Sequence, residues 1–153
     1  MILIINGPNL NLLGKREPQI YGSETFDTYL EQIRHDFPQE KIEYFQSNSE
    51  GEIIDAIHKA GYDPDCKGIV INPGAYSHYS IAIADAFSSI PVPVIEVHIS
   101  NIHAREEYRR HSVTAEKAKG VIAGLGLYGY KASIQCIIHN AFTNAQCIMH
   151  NAQ

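Results

Sequence analysis

The sequence predicts an α/β fold, a parallel sheet covered by helices on both faces. Two observations carry this. Short runs rich in Ile and Val recur along the 153 residues, each followed by a stretch of helical period, and strands that alternate with helices pair in parallel through right-handed crossovers. The runs are also apolar throughout rather than alternating, as expected of strands with no wet face.

Strands are predicted at 2–5, 42–46, 68–71, 94–97 and 121–123. Helical period appears at 25–36, 50–60, 79–88 and 104–108, the last extending towards Arg110. The second helix opens with Ser49-Glu-Gly-Glu52, the spacing of a capping box. Five such units make a flavodoxin-like three-layer sandwich with a five-stranded parallel sheet. The length suits one domain, 1–153, with a single core, and the residues from about 134 are expected to be a divergent C-terminal tail of it.

A formal net charge of -5 gives no general attraction to nucleic acid or to an anionic membrane. An anionic substrate would need a local cluster of cations, and Arg16, Arg105, Arg109 and Arg110 can supply one. Met1 leads directly into an apolar run without a basic leader, and no stretch reaches membrane-spanning length. The chain is therefore expected in the cytoplasm, with Cys66, Cys136 and Cys147 as free thiols.

Three strands end in bursts of polar residues. Ile2 to Ile5 runs into Asn6-Gly-Pro-Asn9 and on to Arg16 and Tyr21; Ile71 runs into Asn72-Pro-Gly-Ala-Tyr-Ser-His78; Val97 runs into His98-Ile-Ser-Asn-Ile-His103. In an open parallel sheet all carboxyl ends lie on one edge, so these bursts are expected to meet in one crevice.

Tyr21 is the candidate base. A loop tyrosine ordinarily packs on apolar surface, but this one shares a Gly/Pro-rich loop with Arg16. A phenol with a pKa of about 10 must drop about three units, or about 4 kcal/mol, to act near pH 7. A cation at about 4 Å supplies roughly that at an effective dielectric of about 20.

His98 follows Glu96 at i+2, so on a strand both side chains face the same way. A carboxylate on one imidazole nitrogen fixes the tautomer and equips the other to donate a proton. The plain alternative for His98, and for His78, is a buried, hydrogen-bonded histidine. Arg105 and Arg109, at i and i+4, would share one helical face, either solvated beside Glu106 and Glu107 or turned into the crevice to clamp a carboxylate.

Other motifs are weaker. Gly124-Leu-Gly-Leu-Tyr-Gly129 spells a dinucleotide fingerprint, but no Asp or Glu follows Glu116 to hold a ribose, so a tight strand-to-helix turn is expected. The strand ends lack the aspartate of a phosphorelay receiver. Gln135-Cys-Ile-Ile-His-Asn-Ala141 recurs as Gln146-Cys-Ile-Met-His-Asn-Ala152. Its pairs Cys136/His139 and Cys147/His150 would lie roughly 16 Å apart on one straight helix, too far for one zinc ion, so a duplicated tail is the expected reading and no metal site is assigned.

Taken together these motifs resemble type II 3-dehydroquinate dehydratase, a small flavodoxin-like enzyme of the shikimate pathway. The resemblance rests on Gly7-Pro-Asn-Leu-Asn-Leu-Leu-Gly14, Arg16-Glu-Pro18, Tyr21-Gly22, Gln46-Ser-Asn48, Ile71-Asn-Pro-Gly-Ala-Tyr-Ser-His78, Glu96-Val-His-Ile-Ser-Asn-Ile-His-Ala-Arg-Glu-Glu107, Arg109-Arg-His-Ser112 and Gly120-Val-Ile-Ala-Gly124, and covers residues from about 2 to about 133. It implies a hydro-lyase that removes water from 3-dehydroquinate by anti elimination through an enolate, without metal or organic cofactor.

By that resemblance Tyr21 takes the C2 proton, Arg16 activates it, and Asn9 holds the water that hydrogen-bonds the enolate oxygen. His98, oriented by Glu96, protonates the departing hydroxyl. Asn72, His78 and Arg109 bind substrate hydroxyls, the Ile99 and Ser100 backbone takes the carboxylate, and Arg105 is the second arginine near the tyrosine. The family's usual homo-oligomer is a dodecamer of trimers, in which the position of Asp85 reaches a neighbouring subunit's site. Ser49 stands where the family commonly has histidine and Ala84 where it often has arginine, which bears on helix capping and trimer contacts. The residues by themselves leave a second reading open, a non-catalytic module that senses a small carboxylate; the joint presence of Arg16, Tyr21, Glu96 and His98 weighs against it.

Overall fold

The computed structural model describes residues 1–15, 17–21 and 23–142, with Tyr21 described in its backbone only. Its sheet has five parallel strands in the order β2-β1-β3-β4-β5: β1 (Ile2–Asn6), β2 (Ile42–Gln46), β3 (Gly68–Asn72), β4 (Val94–His98) and β5 (Gly120–Ala123). The predicted strands are all present. Those at the centre are buried along their whole length, because helices cover both faces and leave no side for polar alternation.

Helices α1 (Pro18–Tyr21), α2 (Phe26–Asp36), α3 (Glu50–Gly61), α4 (Ile81–Ser88) and α5 (Tyr128–Ile138) complete the layers. Alternate residues of each strand serve opposite cores. Ile2, Ile4, Val70 and Ile95 pack with Phe26, Ile33 and Ile134 of α2 and α5. Leu3, Ile5, Ile69 and Ile71 pack with Ile53, Ile57, Ile83 and Phe87 of α3 and α4. This is the period-2 consequence of strand geometry.

Caps set the helix starts. Thr25 Oγ1 accepts from the Thr28 amide at 3.3 Å and Ser80 Oγ from that of Ile83 at 3.0 Å, so α4 begins at Ile81 and not at the predicted 79. Ser49 caps α3 by accepting from the Glu52 amide at 3.4 Å. The return arm of the expected capping box is relayed: Glu52 accepts from Ser47 Oγ, which in turn accepts from the Ser49 amide at 2.9 Å.

The helix predicted across 104–110 does not form. Two short 3-10 turns, Ile102–Ala104 and Glu107–Arg109, stand there instead, separated by Arg105 and Glu106 in extended backbone. Asn101 Oδ1 binds the His103 amide at 3.1 Å and closes the first turn, and the Glu106 carbonyl accepts from Arg109 N at 2.9 Å to close the second. A turn also forms at Pro18–Tyr21, where only a loop was expected. The Gly124 to Gly129 segment is the expected turn into α5, with Gly124 and Gly126 at φ +86° and +60°. A Cβ on Gly129 would come within 3.2 Å of Val97, which shows how closely the helix approaches the sheet.

The sheet reverses direction of winding between β1 and β3, where Asn6 and Asn72 are register partners. Gly7 lets the two outgoing loops touch, since a Cβ there would stand 2.5 Å from the Pro73 carbonyl oxygen. Gly7→Ala is expected to lower stability by about 2 kcal/mol through backbone overpacking. Thermal unfolding checks it, and a melting temperature equal to wild type would refute the close packing.

Candidate active site

A cleft opens at the carboxyl edge of the sheet, over the β1/β3 reversal, where open α/β sheets bind ligands. The three predicted bursts converge there. The β1 loop contributes Asn9, the β3 loop Asn72 and His78, and the β4 end His98, Ile99 and Ser100. Arg105 and Arg109 line it too, although not by the helical i,i+4 spacing that had been expected to bring them together.

Glu96 is fully buried and its oxygens collect three side-chain donors. His98 Nε2 lies 2.6 Å from Oε1, Ser112 Oγ donates to the same oxygen at 2.6 Å, and Thr114 Oγ1 donates to Oε2. Three donors on two oxygens suit an acceptor-only carboxylate. With Nε2 committed to Glu96, Nδ1 of His98 is the nitrogen left to exchange a proton.

His78 is set up differently. Nδ1 lies 2.8 Å from the His111 carbonyl oxygen, so it carries the proton and Nε2 remains an acceptor. Burial lowers the pKa of His78, and the charges of His98 and Arg109 push the same way against that hydrogen bond. The cleft therefore holds one histidine paired with a carboxylate and one kept neutral.

Asn9 has left-handed backbone, φ 67°, and its amide donates to Asn48 Oδ1 at 3.0 Å. The two arginines share a carboxylate: Glu106 Oε2 is 3.0 Å from Arg109 Nε and 3.7 Å from Arg105 Nε. Arg105 Nη1 also reaches Ser100 Oγ at 3.5 Å. The carbonyls of His98 and Ile99 accept from the amides of Gly124 and Gly126 at 3.2 and 3.0 Å, so the glycine turn braces the cleft from below.

Not every expected residue is brought here. Asp85 sits exposed on α4 and is not among the lining residues of its own chain's cleft. Arg16 and the side chain of Tyr21 lie outside the described residues, as do Cys147 and His150 of the repeat. Among the described residues there is no group of three or more His, Cys, Asp or Glu placed to hold a metal, and no helix long and apolar enough to cross a membrane.

Three hydroxyls escaped the sequence reading: Ser112 and Thr114 on Glu96, and Tyr130, which bonds both Asn6 and Asn72. The run Ser112-Val-Thr114 has strand-like alternation of polar groups, but nothing local pairs it with a carboxylate 16 residues back.

The family model for class II dehydroquinase matches residues 1–138. The chain belongs to that family. The 3-dehydroquinate dehydratase of Clostridium botulinum strain Hall is 58% identical over 141 residues, covering 91% of this chain and 95% of that protein. The crystal structure of type II dehydroquinase from Butyrivibrio crossotus aligns with a TM-score of 0.83 at 50% identity, covering 89% of this chain and 95% of that one. The corresponding structure from Propionibacterium acnes gives 0.83 at 48%, with 88% and 92% covered. The class II dehydroquinase match ends where α5 ends, so the Cys/His repeat is largely beyond it.

Because burial depresses the His78 pKa, the folded state should lose stability as pH falls through the unfolded value of about 6.5 towards the folded one, where the imidazole must charge. The His78→Asn variant should show a shallower acid loss in thermal unfolding across that window. An NMR titration that placed His78 above the ordinary histidine range would contradict the buried, neutral assignment.

Proposed function

We propose that this chain dehydrates 3-dehydroquinate to 3-dehydroshikimate, as a cytoplasmic hydro-lyase of the shikimate pathway whose catalytic domain spans 1–153. The observation that carries the reading is His98 at the cleft wall with Nε2 held by buried Glu96, in a chain of the class II dehydroquinase family. That arrangement supports an acid aimed at a leaving group.

In the reaction Tyr21, as phenolate beside Arg16, removes the C2 proton, and the electron pair moves onto the neighbouring ketone oxygen. An α-proton is a poor acid, so the developing enolate needs a preorganised donor; a water held by Asn9 provides it. The enolate then re-forms the ketone, the bond to the departing hydroxyl breaks, and His98 Nδ1 gives the proton that makes it water. Arg105 adds a second guanidinium near the tyrosine.

Binding falls to neutral and cationic groups. Asn72, His78 and Arg109 take substrate hydroxyls, and the backbone of Ile99 and Ser100 takes the carboxylate. No step calls on a metal or an organic cofactor. Asp85, exposed and outside its own cleft, serves a neighbouring subunit in a homo-oligomer of trimers, a dodecamer.

Dehydration creates a conjugated enone carboxylate, so the protein mixed with 3-dehydroquinate should give a rising ultraviolet absorbance. Saturable binding with a flat trace would instead make the chain a sensor. The Tyr21→Phe change should cut kcat by at least about a hundredfold, the scale of a lost general base, while leaving ligand binding largely intact. Turnover at the wild-type rate would remove Tyr21 from its role. Light scattering should report a particle of twelve 17.1 kDa chains, and a monomer that turned over at full rate would remove Asp85 from the neighbour's site.

A further inference from the structure

We propose that Tyr130 is a positioning residue for this dehydration: its hydroxyl, wedged between the side chains that end β1 and β3, fixes which edge of the Asn72 amide meets the substrate. The proposal rests on the reading that Asn72 binds a substrate hydroxyl.

Tyr130 is completely buried, near the start of α5, with its ring 4.9 Å from that of Phe26. Its hydroxyl donates to Asn6 Oδ1 at 2.7 Å and accepts from Asn72 Nδ2 at 3.2 Å. Asn72 Oδ1 accepts from the Gly74 amide at 3.1 Å, and Asn6 Nδ2 faces the Tyr44 hydroxyl at 3.4 Å.

The directions in this relay are forced. A main-chain N–H can only donate, so Asn72 must turn its oxygen to Gly74 and its nitrogen to Tyr130. The Tyr130 oxygen is thereby made an acceptor, and its single proton goes to Asn6. Asn6 must then offer its nitrogen to Tyr44. One backbone donor thus orders four side chains, and an amide that could otherwise turn over is held in one state. Asn6 is fully buried like Tyr130, so water offers no easy substitute partner. Burial raises the Tyr130 pKa, which keeps the hydroxyl protonated and able to serve both neighbours.

The consequence reaches the cleft because Asn72 lines it. The relay leaves Asn72 one N–H and one lone pair in defined places. An amide turned over would present an acceptor where the substrate hydroxyl had found a donor, and the reverse. The tyrosine touches no substrate; it acts through Asn72.

A double-mutant cycle tests this. Asn72→Ala should lower kcat/KM for 3-dehydroquinate. Tyr130→Phe should lower it about tenfold, on the scale of one misdirected hydrogen bond, together with the melting temperature. In the Asn72→Ala background the same Tyr130→Phe change should cost less than about twofold, the limit of additivity error. Equal losses in both backgrounds, or no loss in the wild-type background, would overturn the proposal. Ile134→Val, in the same buried helix, should lower the melting temperature but leave kcat/KM unchanged; a matching loss of kcat/KM there would assign the Tyr130 effect to stability and overturn it too. Should Tyr130→Phe fail to fold, Asn6→Ala removes the acceptor of the Tyr130 proton and should show the same dependence on Asn72. A silent Asn72→Ala would overturn the Asn72 reading itself, and with it this proposal, while full loss of activity in Tyr21→Phe would leave the dehydratase assignment standing.

Discussion

A fully buried carboxylate is the most demanding group in this molecule, and much of the chain after β4 is arranged around it. Taking such a group out of water costs several kcal/mol unless donors replace the lost hydration. Glu96 finds three, one from His98 on its own strand and two from Ser112 and Thr114. The chain between β4 and β5 accordingly takes an unusual path. Parallel neighbours are ordinarily joined through an α-helix, whereas this connection runs through three 3-10 turns. It must return to the end of β4 with two hydroxyls in reach of one carboxylate, and Val113 is pinned on the way by its amide, which donates to the Ser77 carbonyl at 2.8 Å. Arg105 and Arg109 lie on this path, held by the Glu106 carboxylate they share.

The sheet edge separates two kinds of polar machinery. By strand alternation Glu96 and His98 face the α3/α4 side, while Asn6 and Asn72 face the side of α2 and α5. The first side carries a carboxylate paired with an imidazole, a pair that can move a proton. The second is built of amides and phenols whose ionisation burial opposes, with Tyr44 and Tyr130 both shifted upward by desolvation. A reaction that needs proton transfer at one part of a ring and fixed hydrogen bonds at another is served by keeping these networks apart, because a titrating group inside the amide relay would change its directions with pH.

What the sequence disclosed, and what it withheld, follows from the range of each interaction. The strands were legible because double coverage makes them apolar throughout, and the Glu96/His98 pair because two residues on one strand have no choice of face. Ser49 was legible as a cap, yet the partner of Glu52 was not, since Ser47 lies before the motif and intercepts the carboxylate. The 104–110 segment misled because its helical period describes local preference, while Asn101 closes the first turn on the His103 amide and the Glu106 carboxylate sits between the two arginines across the break. Tyr130 was invisible for the same reason: its partners are 124 and 58 residues away. Local patterns predict what local forces decide, and the buried polar contacts here are decided by the packing of α5 against the sheet.

The side chains that line the cleft stand on braced backbone. Gly7 and Gly74 allow the β1 and β3 loops to lie against Pro73 and Pro8, and the amides of Gly124 and Gly126 secure the carbonyls of His98 and Ile99. Each of these contacts excludes a Cβ or uses a left-handed turn, so the glycines act by admitting close approach. Groups held this way need little reorganisation when charge develops, which is the condition under which electrostatic stabilisation is strongest. The segment between β1 and α2 is anchored in the core by Leu10 and Leu13 and closed at its stem where Gly14, at φ +86°, packs on the Ser23 carbonyl. Under the proposed mechanism the acid is His98, fixed on a strand end with Nε2 held by buried Glu96, so the leaving-group geometry would be set before substrate arrives.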